Sequence, residues 1–134
     1  MKKEVPRGIR NNNPLNIRIG NTWLGEVKNP NDKEFEQFVA MSYGCRAAFV
    51  ILRRYIRRYG LNTIPLIISR WAPMSENDVT AYVNDVCKRT GLSPEHILDY
   101  RNEDEMVSLV MAMAHHECGT PIREKDVRNG YLLA

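Results

Sequence analysis

The sequence predicts one mainly helical α+β domain, with a small β-hairpin or ribbon ahead of a helical body. Three observations predict it. From about residue 41 onward, apolar residues recur at helical spacing. Capping residues and glycines divide that stretch into separate helices. The first 40 residues are rich in Asn, Gly and Pro and alternate polar with apolar positions, as short strands and turns do. A length of 134 residues fits one domain, 1–134, able to bury a core without disulfides.

In chain order, Asn16-Ile17-Arg18-Ile19 alternates and meets a turn signal at Gly20-Asn21, and Thr22-Trp23-Leu24 is the expected answering strand. Asn29-Pro30-Asn31-Asp32 is a second turn, followed by Phe35 to Val39. A helix from about Ser42 to Tyr59 places Ala48, Ile51, Leu52, Tyr55, Ile56 and Tyr59 on one stripe. Arg46, Arg53, Arg54, Arg57 and Arg58 take its other faces, and Gly60 stops it. A short helix opens at Asn62-Thr63-Ile64-Pro65 and ends near Trp71, before Pro73. Ser75-Glu76-Asn77-Asp78 caps the next, which runs to Thr90 and Gly91. Ser93-Pro94-Glu95 predicts another short helix. Asn102, with Glu105 as box partner, starts a long one that stops at Gly119. A turn or two follows from Arg123.

Composition narrows the function. The charged and hydrophobic shares, 26% and 43%, belong to a globular chain rather than a disordered one. No apolar run has the length of a membrane span. The residues after Met1-Lys2-Lys3 lack the apolar stretch of a secretory signal peptide. A net charge of +3 permits an acidic partner without requiring one. Cys45, Cys87 and Cys118 match no zinc or redox spacing and are expected as free thiols. No metal site and no cofactor is expected.

The most unusual local feature is Met111-Ala112-Met113-Ala114-His115-His116-Glu117-Cys118-Gly119. The helix leading into it is apolar on nearly all sides. Glu117 then stands in the last turn, where unpaired carbonyls and the negative end of the helix dipole oppose an anion. A carboxyl held in that setting suits a general acid. The bland alternative is a helix-end Glu paired with a neighbouring cation. Two other clusters have the chemistry to meet a sugar. Asn13 and Asn16 lie in an amide-dense run, and amides suit hydroxyl and N-acetyl oxygens. Trp71 and Tyr82 offer rings to stack on pyranose faces, and Glu76 and Asn77 offer hydrogen bonds.

The segments "NNNPLNIR", "FEQFVAMSYGCRAAFVILRRY" and "ISRWAPMSENDVTAYVNDVCKR" resemble three successive segments of the lysozyme-like superfamily, nearest its bacterial glucosaminidases and lytic transglycosylases. There, the catalytic helix precedes an Asn-rich strand. Here "LVMAMAHHECG", which resembles that helix, stands near the C-terminus, so the resemblance implies a circularly permuted lysozyme-like domain. The motifs "RGIRNNNP", "RWAP" and His-Glu-x-Gly also resemble a phage family described as virion structural proteins. Cys118 departs from the Asn or Ser usual after the acid.

The resemblance implies cleavage of peptidoglycan glycan strands, with Glu117 as acid and base. A hydrolase with two carboxylates would need a partner for it, and Glu26, Asp32 and Glu76 are the candidates. A non-catalytic virion or glycan-binding protein with the same fold is the alternative. A nucleic-acid binder built on the arginine-rich helix is weaker, since no groove-reading motif accompanies the arginines. Expected partners are glycan strands and other phage tail or virion proteins, without nucleic acid or membrane, for a monomer. Such a protein, made in the cytoplasm without a signal peptide, would reach the wall through the virion or on lysis.

Overall fold

A computed structural model describes residues 5–72 and 75–134; the side chains of Glu76 and Asn77 are outside the described set, as is Pro73. Six helices occur among the described residues: α1 Arg7–Arg10, α2 Met41–Tyr59, α3 Ile64–Trp71, α4 Glu76–Thr90, α5 Glu103–Cys118 and α6 Glu124–Leu133.

The caps sit where the side chains dictate. Thr63, Ser75 and Asn102 accept backbone N–H bonds at the starts of α3, α4 and α5. Gly60, Gly91 and Gly119 end α2, α4 and α5 in the left-handed conformation that favours glycine. One box is half made. Glu105 does not reach back to the Asn102 N–H; its carboxylate pairs with His96 and accepts from the Asp99 N–H.

The apolar helix is the centre of the molecule. Met106, Val107, Leu109, Val110, Ala112, Met113 and Ala114 of α5 are all buried, and α4, α6, α1 and α2 pack around it. The most extensive helix pairing is α2 with α6. It is close at Gly130, where an added Cβ would fall 2.5 Å from the Cβ of Cys45.

Three expectations are corrected. Residues 93–95 form a turn, closed by the His96 N–H on the Ser93 carbonyl, and not a helix; the run is too short to bury an apolar face. The chain after Arg123 is a ten-residue helix, longer than the turn or two expected, because Val127 and Gly130 are buried in its contact with the body. The N-terminal ribbon shrinks to two isolated antiparallel bridges, Arg18 with Phe35 and Glu26 with Phe38. Residues 22–24 do not pair with 16–19. The 34–39 stretch lies between residues 17–19 and 25–27, bonding to Ile17 and Ile19 on one side and Gly25 and Val27 on the other.

Side chains complete what the short ladder leaves open. Asn13 is fully buried. Its amide donates to the carbonyls of Ile17 and Glu36, both within 3.0 Å, and its oxygen accepts from the Ile17 N–H at 2.9 Å. Asn12 donates to the Phe38 carbonyl. Asp32 accepts two bonds from Arg7 at 2.7 Å, one from Asn11, and the N–H groups of Glu34 and Phe35. Buried backbone polar groups need partners, and this asparagine-rich stretch supplies them from its own side chains.

Candidate functional site

The N-terminal segment docks on the C-terminal end of α5. At Gly8 of α1 an added Cβ would lie 2.8 Å from the Cys118 sulfur, so only glycine allows this approach. The buried Cys118 thiol donates to the Pro14 carbonyl at 3.4 Å. Burial, then the nearby Glu117 charge, pushes that thiol up to about 11. It therefore stays a protonated donor near neutral pH. All three cysteines are free.

This docking brings Asn16 to Glu117, 101 residues later in the chain. Asn16 has φ +52°, a conformation asparagine tolerates better than most side chains. Its amide donates to Glu117 Oε1 at 3.2 Å. On the other side, the Tyr82 hydroxyl donates to Glu117 Oε2 at 3.0 Å. Tyr82 is fully buried, and burial first, then the Glu117 charge, holds its phenol far above the ordinary range. Its ring stacks on His116, 4.0 Å between centres, and His116 Nδ1 is 2.8 Å from Asp85 Oδ2. Glu117 itself is half-buried.

Glu117 faces a cleft of about 450 Å³ lined by Leu15–Arg18, Phe35, Ile51, Tyr55, Trp71 and Ala72. Trp71 is half-buried and anchored: its indole N–H donates to the Leu15 carbonyl at 3.2 Å, and its ring meets Tyr55 edge-on at 6.0 Å. An apolar and aromatic lining with a few polar groups is the usual make-up of a small-molecule site. A larger cavity, about 650 Å³, lies between α5 and α6 and includes His115 and Arg128. It does not contain Glu117.

The structure brings Asn16, Trp71 and Glu117 together. Asn13 does not line the cleft; it is a buried staple. Tyr82 is too buried to stack on a sugar and instead holds the carboxylate. The expected contacts of Glu76 and Asn77, and Glu76 as second carboxylate, lie outside the described residues. The other two candidate carboxylates are engaged elsewhere. The Arg7 guanidinium holds the Asp32 carboxyl well below the usual range, and Glu26 accepts the Trp23 N–H at 2.9 Å. Neither lines the cleft. Sequence reasoning missed Arg18, Phe35, Ile51 and Tyr55 as cleft residues. Tyr55 carried a signal, its place at the edge of the α2 stripe; Arg18 and Phe35 carried none, because the bridge that joins them is non-local. No group of three or more His, Cys, Asp or Glu side chains among the described residues is placed to hold a metal ion. No helix among them is long and apolar enough to cross a membrane.

No protein-family model matches the chain. Protein P5 of Pseudoalteromonas phage PM2 is 39% identical to it over 133 residues, spanning 96% of this chain and 81% of that protein.

Proposed function

From the premise that the chain belongs to the family of the PM2 phage protein P5, we propose that it cleaves peptidoglycan glycan strands, with Glu117 as general acid and base, on a circularly permuted lysozyme-like fold. The observation that carries this reading is the Asn16–Glu117 hydrogen bond inside the cleft. It joins the Asn-rich segment to the end of the apolar helix, the pair that a permuted lysozyme-like domain has to reunite.

The chemistry follows from the lining. Glu117 is the one acidic side chain on the cleft wall among the described residues. One carboxyl then has to serve both steps. As acid it gives its proton to the glycosidic oxygen while the bond from that oxygen to the anomeric carbon breaks. As base it takes the proton of the hydroxyl that attacks the anomeric carbon, which restores the acid. That hydroxyl belongs to water in hydrolysis and to the substrate in the transglycosylase mode. Asn16 and Tyr82 fix the carboxyl plane. Trp71 and Tyr55 supply ring faces and edges for pyranose rings. The protein acts on the wall from the virion or after lysis.

A second reading is a non-catalytic virion or glycan-binding protein. Both oxygens of Glu117 accept bonds from the protein's own side chains, and this favours it. Wild-type protein in a gel containing purified peptidoglycan separates the two: a cleared band supports cleavage. Absence of clearing, with co-sedimentation on insoluble peptidoglycan, supports binding alone.

A further inference from the structure

Arginines bracket the cleft. Arg18 lines it directly, on the N-terminal side, with its guanidinium 4.9 Å from the centre of the Phe35 ring. Phe35 also lines the cleft and carries Arg7 at 4.6 Å. On the α2–α3 side, the guanidinium of Arg70 lies 5.8 Å from the ring of Tyr55, a cleft residue, and 5.1 Å from that of Tyr59. Both Arg18 and Arg70 are exposed. Arg70 makes no ion pair among the described residues. Among the described residues the one ion-pair partner of Arg18 is Glu34 at 3.8 Å, with both side chains mostly in solvent, a pairing worth little in water. Ring contact restricts each guanidinium, Arg70 also hydrogen-bonds the Tyr55 hydroxyl, and a guanidinium has donors enough to meet a carboxylate as well.

A neutral glycan has no use for two cations, one on the cleft wall and one beside a cleft residue. A strand with a carboxylate on every second sugar, on the lactyl ether or the peptide attached to it, has a group for each. Resting on the glycan-cleaving reading above, we propose that Arg18 and Arg70 select for carboxylate-bearing glycan, and that the protein discriminates against uncharged chitin-type strands of equal length.

The test is calorimetric titration of Glu117→Gln protein, which leaves the glycan uncut. Three ligands are compared: a soluble peptidoglycan glycan fragment, the same fragment with its carboxylates amidated, and a chitin oligosaccharide of equal length. The expected result is about tenfold tighter binding of the carboxylated fragment, the range of one good charge-assisted hydrogen bond, shrinking at high salt. Adding Arg18→Gln and Arg70→Gln should bring the three affinities within about twofold of one another. Equal binding of all three ligands by the Glu117→Gln protein would overturn charge selection and leave the glycan reading standing. Binding of none would overturn both. Tighter binding of single-stranded DNA than of any glycan would reassign the arginines to a nucleic acid and overturn the proposal.

Discussion

The N-terminal segment and the helical body are held together by different physics. In the body, α5 is buried on most sides by apolar neighbours, and helical backbone bonds satisfy their own polar groups. In residues 5–40 two isolated bridges are all the sheet that forms, and Asn12, Asn13 and Asp32 close backbone bonds with side chains, Asn11 bracing the Asp32 carboxylate. Body stability should therefore depend on volume, and segment stability on particular amides. The cleft lies where the two meet, so Glu117 inherits its support from one region and its orientation from both.

The contrast can be sharpened by mutation. Leu109→Ala empties a fully buried site on α5 and should cost about 3 kcal/mol of global stability, read as a lower urea midpoint with the slope unchanged. Asn13→Ala removes three buried hydrogen bonds and should cost about 2 kcal/mol. Its signature should be local. Amide exchange should quicken at Ile17 and Glu36 while the α5 amides keep their protection. If both substitutions loosened every amide alike, the division into two regions would be wrong.

A smaller effect separates the regions by pH. Glu36 is nearly buried, and burial, with the Glu26 carboxylate beside it, pushes its carboxyl up to about 7. The folded state thus binds a proton that the unfolded chain gives up at an ordinary glutamate pH. That stabilisation is complete below the ordinary glutamate range and is lost as pH rises through about 7. Glu36→Gln should then match wild type at pH 4 and exceed it by about 1–2 kcal/mol at pH 8. Denaturant melts at the two pH values measure the difference; a variant no more stable than wild type at pH 8 would show that Glu36 ionises without cost.

The same division explains what the sequence could reveal. Helices α2 to α5 were legible because periodicity and caps such as Thr63, Ser75 and Asn102 are local signals. Glu117 stood out because a carboxylate at the end of an apolar helix breaks the pattern. The segment's detail was not legible. Asn13 and Asn16 are the same residue type in one short run, yet one is a buried staple and the other reaches the cleft. The difference comes from the left-handed turn at Asn16, a matter of tertiary docking. Tyr82 read equally well as a stacking ring or a core residue, and only the packing of α4 on α5 and the stack with His116 decide it.

The most direct measurement is the rate at which Glu117→Gln releases soluble fragments from purified peptidoglycan, compared with wild type. Circular dichroism and the thermal midpoint serve as controls for folding. The side chain keeps its size, and its one amide oxygen can accept from Asn16 while its NH2 donates to the Tyr82 hydroxyl oxygen, so the fold should hold. The rate should fall by about a hundredfold to ten-thousandfold, the usual contribution of a general acid, because an amide has no proton to give the leaving oxygen. A folded Glu117→Gln protein that releases fragments as fast as wild type would contradict the assignment of Glu117.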